Sequence, residues 1–300
     1  MKHKRNHLLF IAPGFIFYTI FVILPVFYVI YLSFFDWSGL GPMKFNGFGN
    51  FKTLFTDSRI APTFFRAILN NLKYLVCVWF IITPFQYVLA YLFYIKIPLF
   101  RYIKFMVFMP YVISSAIVSF FATLIFDPNI GFLNDFLDKI GLHNLQGAWF
   151  GDPNWSFKLM ILLILWQGAG SGVMIFYSNM MDIPLEIMEA CRIDGCSEVQ
   201  RFTNIILPLT LPACASIITM STLWALAIFD IPFILGGANG GVSNSLDFVN
   251  LVFYRYTFGS AYDGKSDLGF GASICVIMFI IMLVITAVQN KILTKFEYEN

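Results

Sequence analysis

Residues 159–181 read LMILLILWQGAGSGVMIFYSNMM, a run of 23 residues without a charged side chain. A helix rises about 1.5 Å per residue, so such a run can cross the roughly 30 Å of bilayer hydrocarbon. Five further runs share this property: 8–35, 74–95, 105–126, 209–235 and 269–289. Asp230 is the one charged residue within the six runs. The pattern predicts an all-α membrane protein with six transmembrane helices in a single domain, residues 1–300.

The overall composition excludes the soluble protein classes. Hydrophobic residues make up 59% of the chain and charged residues 12%. A soluble domain averages about 45–50% apolar and about 25% charged residues. A net charge of +2 creates no strong field that would attract nucleic acid. We therefore expect membrane lipid, and no nucleic acid, as a partner.

The first run, 8–35, follows a basic start and resembles a signal peptide. It is too long for the apolar region of such a peptide, and no small-residue cleavage site follows it. We therefore interpret it as a true span, in which Pro13 and Pro25 kink the helix without ending it.

The distribution of Lys and Arg predicts the orientation. Four segments, 1–7, 96–104, 182–208 and 290–300, together hold 10 Lys and Arg in 54 residues. The alternate segments hold 9 in 103 residues. Positive residues favour the cytoplasmic side, so both termini are expected to be cytoplasmic.

Residues that would support catalysis or metal binding are sparse. The three histidines, His3, His7 and His143, form no metal-ligand pattern, so we predict no catalytic residue, metal or cofactor on this chain. Residues Gly259–Ser266 match the phosphate-binding pattern GxxxxGK[ST]. That loop requires a buried strand before it and an α/β domain around it, and here its flanks are an aromatic segment and a membrane span. We reject the match and interpret Lys265 as a loop lysine.

Residues 182–208 read DIPLEIMEACRIDGCSEVQRFTNIILP. Asp182 is predicted to cap a first helix, and Gly195 suits a left-handed helix end. Ser197 and Gln200 form a capping box for a second helix, which Pro208 is expected to end. The segment is therefore predicted to form two short helices joined by a tight bend. Its residues alone leave open whether it docks a partner or simply links two spans.

This segment resembles the EAA loop of binding-protein-dependent ABC importer permeases. The resemblance rests on Ile183-Pro184, Glu189-Ala190, Arg192-Ile193-Asp194-Gly195, Phe202 and Leu207-Pro208-Leu209. Cys191 stands where the family commonly has Ala. Further stretches are similar to the carbohydrate branch, namely the maltose, multiple-sugar and glycerol-phosphate permeases of the larger partner type: Ser33–Trp37, Phe229-Asp230 and Gly269–Ser273.

The resemblance implies a permease subunit of an ATP-driven sugar importer in the bacterial cytoplasmic membrane, with an oligosaccharide as cargo. It implies four kinds of partner: a second homologous permease, two ATPase subunits, an extracytoplasmic solute-binding protein and the sugar. ATP and Mg²⁺ would belong to the ATPase, so this chain would not be an enzyme. We name 182–208 the coupling segment. Its implied ATPase-coupling residues are Pro184, Glu186, Glu189, Ala190, Arg192, Asp194, Gly195 and Phe202.

Candidate residues for the substrate pathway combine aromatic faces with hydrogen-bonding groups, which suits a sugar. They are Trp224, Phe229 and Asp230, followed by Gln167, Tyr177 and Ser273, with Trp166 and Ser171 as further candidates. Asp230 is alternatively an interfacial cap at the outer end of the fifth span. The glycines Gly168, Gly170 and Gly172 favour close helix packing first and a hinge second.

Alternative functions are less well supported by the same residues. A stand-alone secondary transporter would need coupling acids within its spans, where this chain has one peripheral Asp. A permease for glycerol phosphate should place Arg or Lys in the pathway, and the six runs contain neither. A membrane enzyme would need a catalytic constellation that the sequence does not contain.

Overall fold

The computed structural model describes residues 2–259 and 266–298. The α-helices in this part are α1 Lys2–Tyr18, α2 Leu24–Leu32, α3 Gly49–Thr56, α4 Ile60–Cys77, α5 Thr83–Tyr94, α6 Phe100–Val112, α7 Ser115–Ile125, α8 Phe132–Lys139, α9 Pro153–Met181, α10 Leu185–Ile193, α11 Glu198–Arg201, α12 Leu207–Leu226, α13 Asp230–Gly236, α14 Val249–Thr257 and α15 Leu268–Tyr298. Strands β1 Phe35–Asp36 and β2 Lys44–Phe45 form one antiparallel hairpin. Three-residue 3-10 turns occupy His143–Leu145, Trp149–Gly151 and Val242–Asn244.

Five helical stretches of the described chain are long and apolar enough to cross a membrane. They are Phe10–Leu32, Ile60–Tyr94, Pro153–Met181, Cys214–Gly236 and Leu268–Leu293. The pair α6–α7 makes a sixth if it counts as one span. The predicted all-α membrane fold is confirmed, although the second helix begins well before the predicted 74–95. The prediction missed this start because Arg66 and Lys73 lie inside the helix.

Three π-helical turns lie within the long helices, at Thr19–Ile23, Val78–Ile82 and Phe202–Ile206. Each is followed, two residues later, by a proline: Pro25, Pro84 or Pro208. A proline in a helix lacks an N–H and clashes with the carbonyl four residues earlier, which in all three cases belongs to the π turn. The wider turn accommodates the ring, so each helix continues. Pro25 therefore does not end the first span, as predicted.

The third predicted span, 105–126, is not one straight helix. The axes of α6 and α7 differ by 98°. Ser114 has an extended backbone and its Oγ accepts from the N–H of Ile117 at 3.3 Å, which starts a new helix. The freed carbonyl of Ile113 accepts from Gln167 Nε2 at 3.0 Å. Runs of uncharged residues carry no signal for such a bend, because serine caps helices without adding a charge.

The fifth predicted span, 209–235, is also broken. Helix α12 ends at Leu226 and α13 begins at Asp230, after Phe229 with φ −143° and ψ −56°. In an unbroken helix Pro232 would clash with the carbonyl of Ile228. The break places Pro232 in the first turn of α13, where a proline is tolerated. Asp230 is therefore at a helix start, and the predicted single helix over 209–235 was wrong.

The chain separates into two compact units, Met1–Phe65 with Val252–Ile281, and Arg66–Leu251 with Met282–Asn300. In the first, buried Asn50 donates from Nδ2 to the carbonyls of Ser33 and Phe35 at 3.0 and 2.8 Å, which holds the hairpin at the end of α2. The second has a continuous core that joins α5, α9, α10 and α12. The single-domain organisation stays a prediction.

Candidate functional site

The coupling segment forms a sharp corner at Gly195. Helix α10 follows Pro184, and Asp182 instead caps the end of α9, so the predicted cap at Asp182 was wrong. Gly195 has φ +73°, the predicted left-handed conformation. The N–H of Cys196 donates to the carbonyl of Cys191 at 3.0 Å, a bond typical of a glycine-terminated helix.

The second helix of the corner is the beginning of a long one. The predicted capping box is present: Gln200 N–H donates to Ser197 Oγ at 3.3 Å, and Ser197 N–H donates to Gln200 Oε1 at 2.9 Å. However, α11 continues through the π turn into α12, and Pro208 does not end it. Of the predicted pair of short helices, the first is therefore a separate short helix, and the second is the first turns of the helix that forms the fifth span.

Seven of the eight predicted coupling residues are exposed. They are Pro184, Glu186, Glu189, Ala190, Arg192, Asp194 and Gly195. Three exposed apolar side chains beside them were missed: Leu185 at 66%, Ile193 at 86% and Val199 at 71% exposure. The buried face of α10 carries Met188 and Cys191. The corner thus presents a mixed apolar and charged surface.

The eighth predicted residue, Phe202, is half-buried and packs against α5. Its ring lies 4.7 Å from that of Tyr91 and 5.7 Å from that of Tyr87, between ring centroids. The Tyr91 hydroxyl donates to Oε2 of Glu198 at 3.0 Å, and Glu198 also pairs with Arg201. Phe202 therefore anchors the corner to the bundle, whereas the exposed residues are available for a partner.

A cavity of about 660 Å³ lies in the same unit, among α4, α5, α6, α9, α12 and the π turn before α5. Its hydrogen-bonding side chains include Thr83, Gln86, Ser171, Ser216 and Ser221, and its aromatic ones are Tyr74, Tyr111 and Trp224. No charged side chain is among the described residues that line it. Uncharged hydroxyl and amide groups beside aromatic faces suit a neutral polyhydroxylated ligand.

Two of the predicted pathway residues line this cavity, Trp224 and Ser171. Trp224 is 77% exposed. Gln167 does not line the cavity, since its amide supports the bend at Ile113. Tyr177 is also absent from the lining, and its ring lies 4.8 Å from the ammonium of Lys104.

The other predicted pathway residues have different surroundings. Asp230 is exposed, and its Oδ2 accepts from Ser115 Oγ at 3.4 Å, so the break in the fifth span contacts the bend in the third. The Phe229 ring stacks on Phe233 at 5.2 Å. Ser273 belongs to the other unit, is fully buried and donates to the carbonyl of Phe270 at 2.6 Å.

Helix α9 separates two cavities with different linings. We call the 660 Å³ cavity the polar cavity for its hydroxyl and amide groups, which stand among aliphatic side chains. A second cavity of about 480 Å³ has only apolar and aromatic lining residues, including Leu159, Leu162, Leu163 and Trp166 of α9. The residues of α9 that line the polar cavity include Gly168, Ser171, Gly172 and Ile175, each nine positions after one of the first four. Nine residues make about 2.5 helical turns, so the two sets lie on opposite faces. Trp166 therefore faces away from the polar cavity.

Sequence reasoning missed four polar residues of the cavity: Thr83, Gln86, Ser216 and Ser221. Gln86 is buried and donates from Nε2 to the carbonyl of Gly168 at 2.9 Å. A Cβ on Gly172 would collide with its amide, so this glycine makes room for Gln86. The available signal was an uncharged polar side chain inside a span, which a search for charges does not detect.

The loop Gly259–Ser266, whose match to a phosphate-binding pattern was rejected, lies largely outside the described part of the chain, which lacks residues 260–265.

Comparison with known proteins shows the family of the chain. Residues 82–296 match the family described as binding-protein-dependent transport system inner membrane component. The "Probable ABC transporter permease protein YurN" of Bacillus subtilis is 31% identical over 296 residues, which cover 97% of this chain and 96% of that protein.

Two further similarities involve proteins whose names state a cargo. The arabinooligosaccharides transport system permease protein AraP of Bacillus subtilis is 28% identical, with 99% of this chain and 91% of that protein covered. A chain from the crystal structure of a bacterial ABC transporter involved in the import of the acidic polysaccharide alginate has a TM-score of 0.80 and 23% identity, with 97% and 96% covered. This chain belongs to the family of binding-protein-dependent transport system inner membrane components.

Proposed function

We propose that the chain is a permease subunit of an ATP-driven importer for a neutral oligosaccharide, and that the 660 Å³ cavity is its half of the translocation pathway. The lining of this cavity carries the proposal: uncharged hydroxyl and amide groups stand beside an exposed tryptophan. The names of AraP and of the alginate importer support a carbohydrate cargo. A phosphorylated or acidic cargo is disfavoured, since a buried anion would need a cationic partner.

The other components of the proposed importer would be separate protein chains. A second homologous permease would complete the pathway, and a solute-binding protein would deliver the sugar from outside. Two ATPase subunits with ATP and Mg²⁺ would dock at the exposed corner of the coupling segment. The excess of Lys and Arg in alternate segments supports cytoplasmic termini in a bacterial cytoplasmic membrane.

The path from the ATPase to the cavity would run through α5. Exposed α10 residues would receive the ATPase, and the contacts of Phe202 and Glu198 with Tyr91 would pass the movement to α5. Gln86, on the same helix, lines the cavity. Helix α11 provides a second route, because it continues into α12 and Trp224.

Tyr91→Phe tests the first route. The substitution keeps the ring packing and removes the hydroxyl bonds to Glu198, each worth about 1 kcal/mol. We expect sugar-stimulated ATP hydrolysis to fall about fivefold. Tyr94→Phe, the same change one turn further along α5, is the matched control and should behave as wild type. Equal activity of Tyr91→Phe and wild type would contradict the route through α5.

Purification and ATPase assays test the proposed function. A tagged chain is solubilised gently from its native host, and co-purifying proteins are identified by mass spectrometry. We expect a second permease and an ATPase. After reconstitution with the solute-binding protein, arabino-oligosaccharides should stimulate ATP hydrolysis, whereas alginate oligosaccharides and glycerol phosphate should not. Stimulation by an anionic compound alone would refute the neutral cargo. A partner-free chain that still moves solute would instead establish a secondary transporter.

A further inference from the structure

The break in the fifth span leaves backbone carbonyls without a hydrogen-bond donor from their own helix. Residues 227–229 separate α12 from α13, within a stretch apolar enough to cross a membrane. The carbonyls of Leu226, Ala227 and Ile228 therefore lie at or within the break. Hydrocarbon offers no hydrogen bonds, so irregular backbone at this depth needs protein or water partners.

Two asparagine side chains provide these partners. Asn71 of α4 is 2% exposed and donates from Nδ2 to the carbonyl of Leu226 at 3.2 Å. Asn250 of α14 donates from Nδ2 to the carbonyls of Ala227 and Ile228 at 2.8 and 3.4 Å. All three carbonyls are thereby hydrogen-bonded by side chains from two other helices.

The two asparagines are also connected to each other. The backbone N–H of Val249 donates to Asn71 Oδ1 at 3.0 Å, so the amide of Asn71 bridges the end of α12 and the start of α14. Asn250 is the next residue of α14. A side chain that donates and accepts at once is required at position 71, and an amide meets this need where a carboxylate or an aliphatic group does not.

The break adjoins the polar cavity. Trp224 and Ala225, in the last turn of α12, line the cavity directly before Leu226. Tyr74 lines it too and lies three residues after Asn71, on the same face of α4. The bridging amide thus lies beside residues of the cavity wall: it is one turn from Tyr74, and the carbonyl to which it donates is two residues after Trp224.

We propose that Asn71 and Asn250 are positioning residues that hold the helix break at 227–229 in the arrangement that presents Trp224 to the cavity. We call this pair the asparagine clasp. Its structural part is independent of the cargo, and its effect on transport rests on the proposed function. The clasp would let the end of α12 move as a unit with α4 and α14 when the ATPase acts on α11.

Amide hydrogen exchange on the co-purified complex in lipid nanodiscs tests the clasp without any sugar. Asn71→Leu removes both the donor and the acceptor. We expect about tenfold faster exchange in peptides containing Val249, because the N–H of this residue loses its buried partner. Peptides covering 227–234 should become faster in the same variant. Asn290→Leu is the control: it removes the acceptor of the hydrogen bond from Thr219 of α12 to Asn290 of α15, two turns before the break, and should leave both regions unchanged.

Asn71→Asp separates a specific clasp from general packing. An ionised carboxylate still accepts from the Val249 N–H and cannot donate to the Leu226 carbonyl. We expect protection of Val249 to remain while 227–234 exchanges faster. Unchanged exchange in Asn71→Leu would overturn the proposal. Equally faster exchange at Val249 and at 227–234 in Asn71→Asp would also contradict it, because general packing would then explain both effects.

Transport measurements then address the functional part. In proteoliposomes supplied with arabino-oligosaccharides, the clasp variants should move about tenfold less sugar per ATP hydrolysed than Asn290→Leu. Altered exchange with an unchanged transport ratio would refute the positioning role and leave the structural clasp standing. Absence of sugar transport in wild type as well would instead contradict the proposed function.

Discussion

Gly195→Pro is expected to abolish sugar-stimulated ATP hydrolysis while the chain still inserts in the membrane. Gly195 has φ +73°, and proline fixes φ near −65°. Proline also lacks the N–H that Gly195 donates to the carbonyl of Arg192 at 3.2 Å. It further disfavours the helical conformation of Asp194, which has φ −73° and ψ 0°. These three effects destroy the corner that presents α10, whereas the apolar spans remain intact.

Gly195→Ala supplies a graded control for the same position. A Cβ at Gly195 meets no atom within 4 Å, so only the backbone conformation opposes alanine. The left-handed conformation costs an L-residue about 1–2 kcal/mol, which should leave partial stimulation. Hydrolysis is measured on the reconstituted complex, and insertion by protease accessibility of the tagged terminus. Normal stimulation in Gly195→Pro would show that the corner does not couple the ATPase to this chain.

The spans were predictable because burial in lipid requires uncharged runs, and the chain segregates its charges almost completely. What the sequence did not reveal was where the runs break. Ser114 and Pro232 act through local backbone chemistry: one caps a new helix, and the other clashes with a carbonyl four residues earlier. Both residues are uncharged, so a test for charge does not detect them.

The prolines show that the sequence also does not reveal where a helix continues. Pro208 was expected to end a helix, yet the helix continues because the preceding turn is π-helical. Pro25 was expected only to kink its helix, and a π-helical turn precedes it as well. A proline alone does not predict the wide turn, since Pro13 and Pro110 lie inside helices that have none.

The corner of the coupling segment was largely predictable, because Gly195, Ser197 and Gln200 act through bonds only a few residues long. The cavity was not. Its polar lining comes from several helices, and neither Gln86 nor Ser221 carries a charge or a motif. Of the predicted pathway residues, Trp224 lines the cavity, whereas Gln167 donates to the Ile113 carbonyl and does not. Contact of either residue with sugar stays a prediction.

Gly168→Trp is expected to block transport without disturbing the fold. Gly168 lines the polar cavity, and a Cβ there meets no atom within 4 Å, so the indole can extend into the open space. The backbone bond from Gln86 to the Gly168 carbonyl survives the change. Burial of a large aromatic ring in a cavity of about 660 Å³ should lower sugar uptake at least about tenfold, with basal ATP hydrolysis retained.

Two neighbouring variants make this result interpretable. Gly168→Ala should transport as wild type and gain up to about 1 kcal/mol of stability, since alanine favours helix more than glycine does. Gly170→Trp should instead destabilise the protein, because a Cβ there lies 3.1 Å from Tyr111 Cβ and from the Val107 carbonyl. Uptake in proteoliposomes and thermal unfolding separate blockage from misfolding. If Gly168→Trp keeps wild-type uptake, sugar does not pass through this cavity and the pathway must lie elsewhere on the chain.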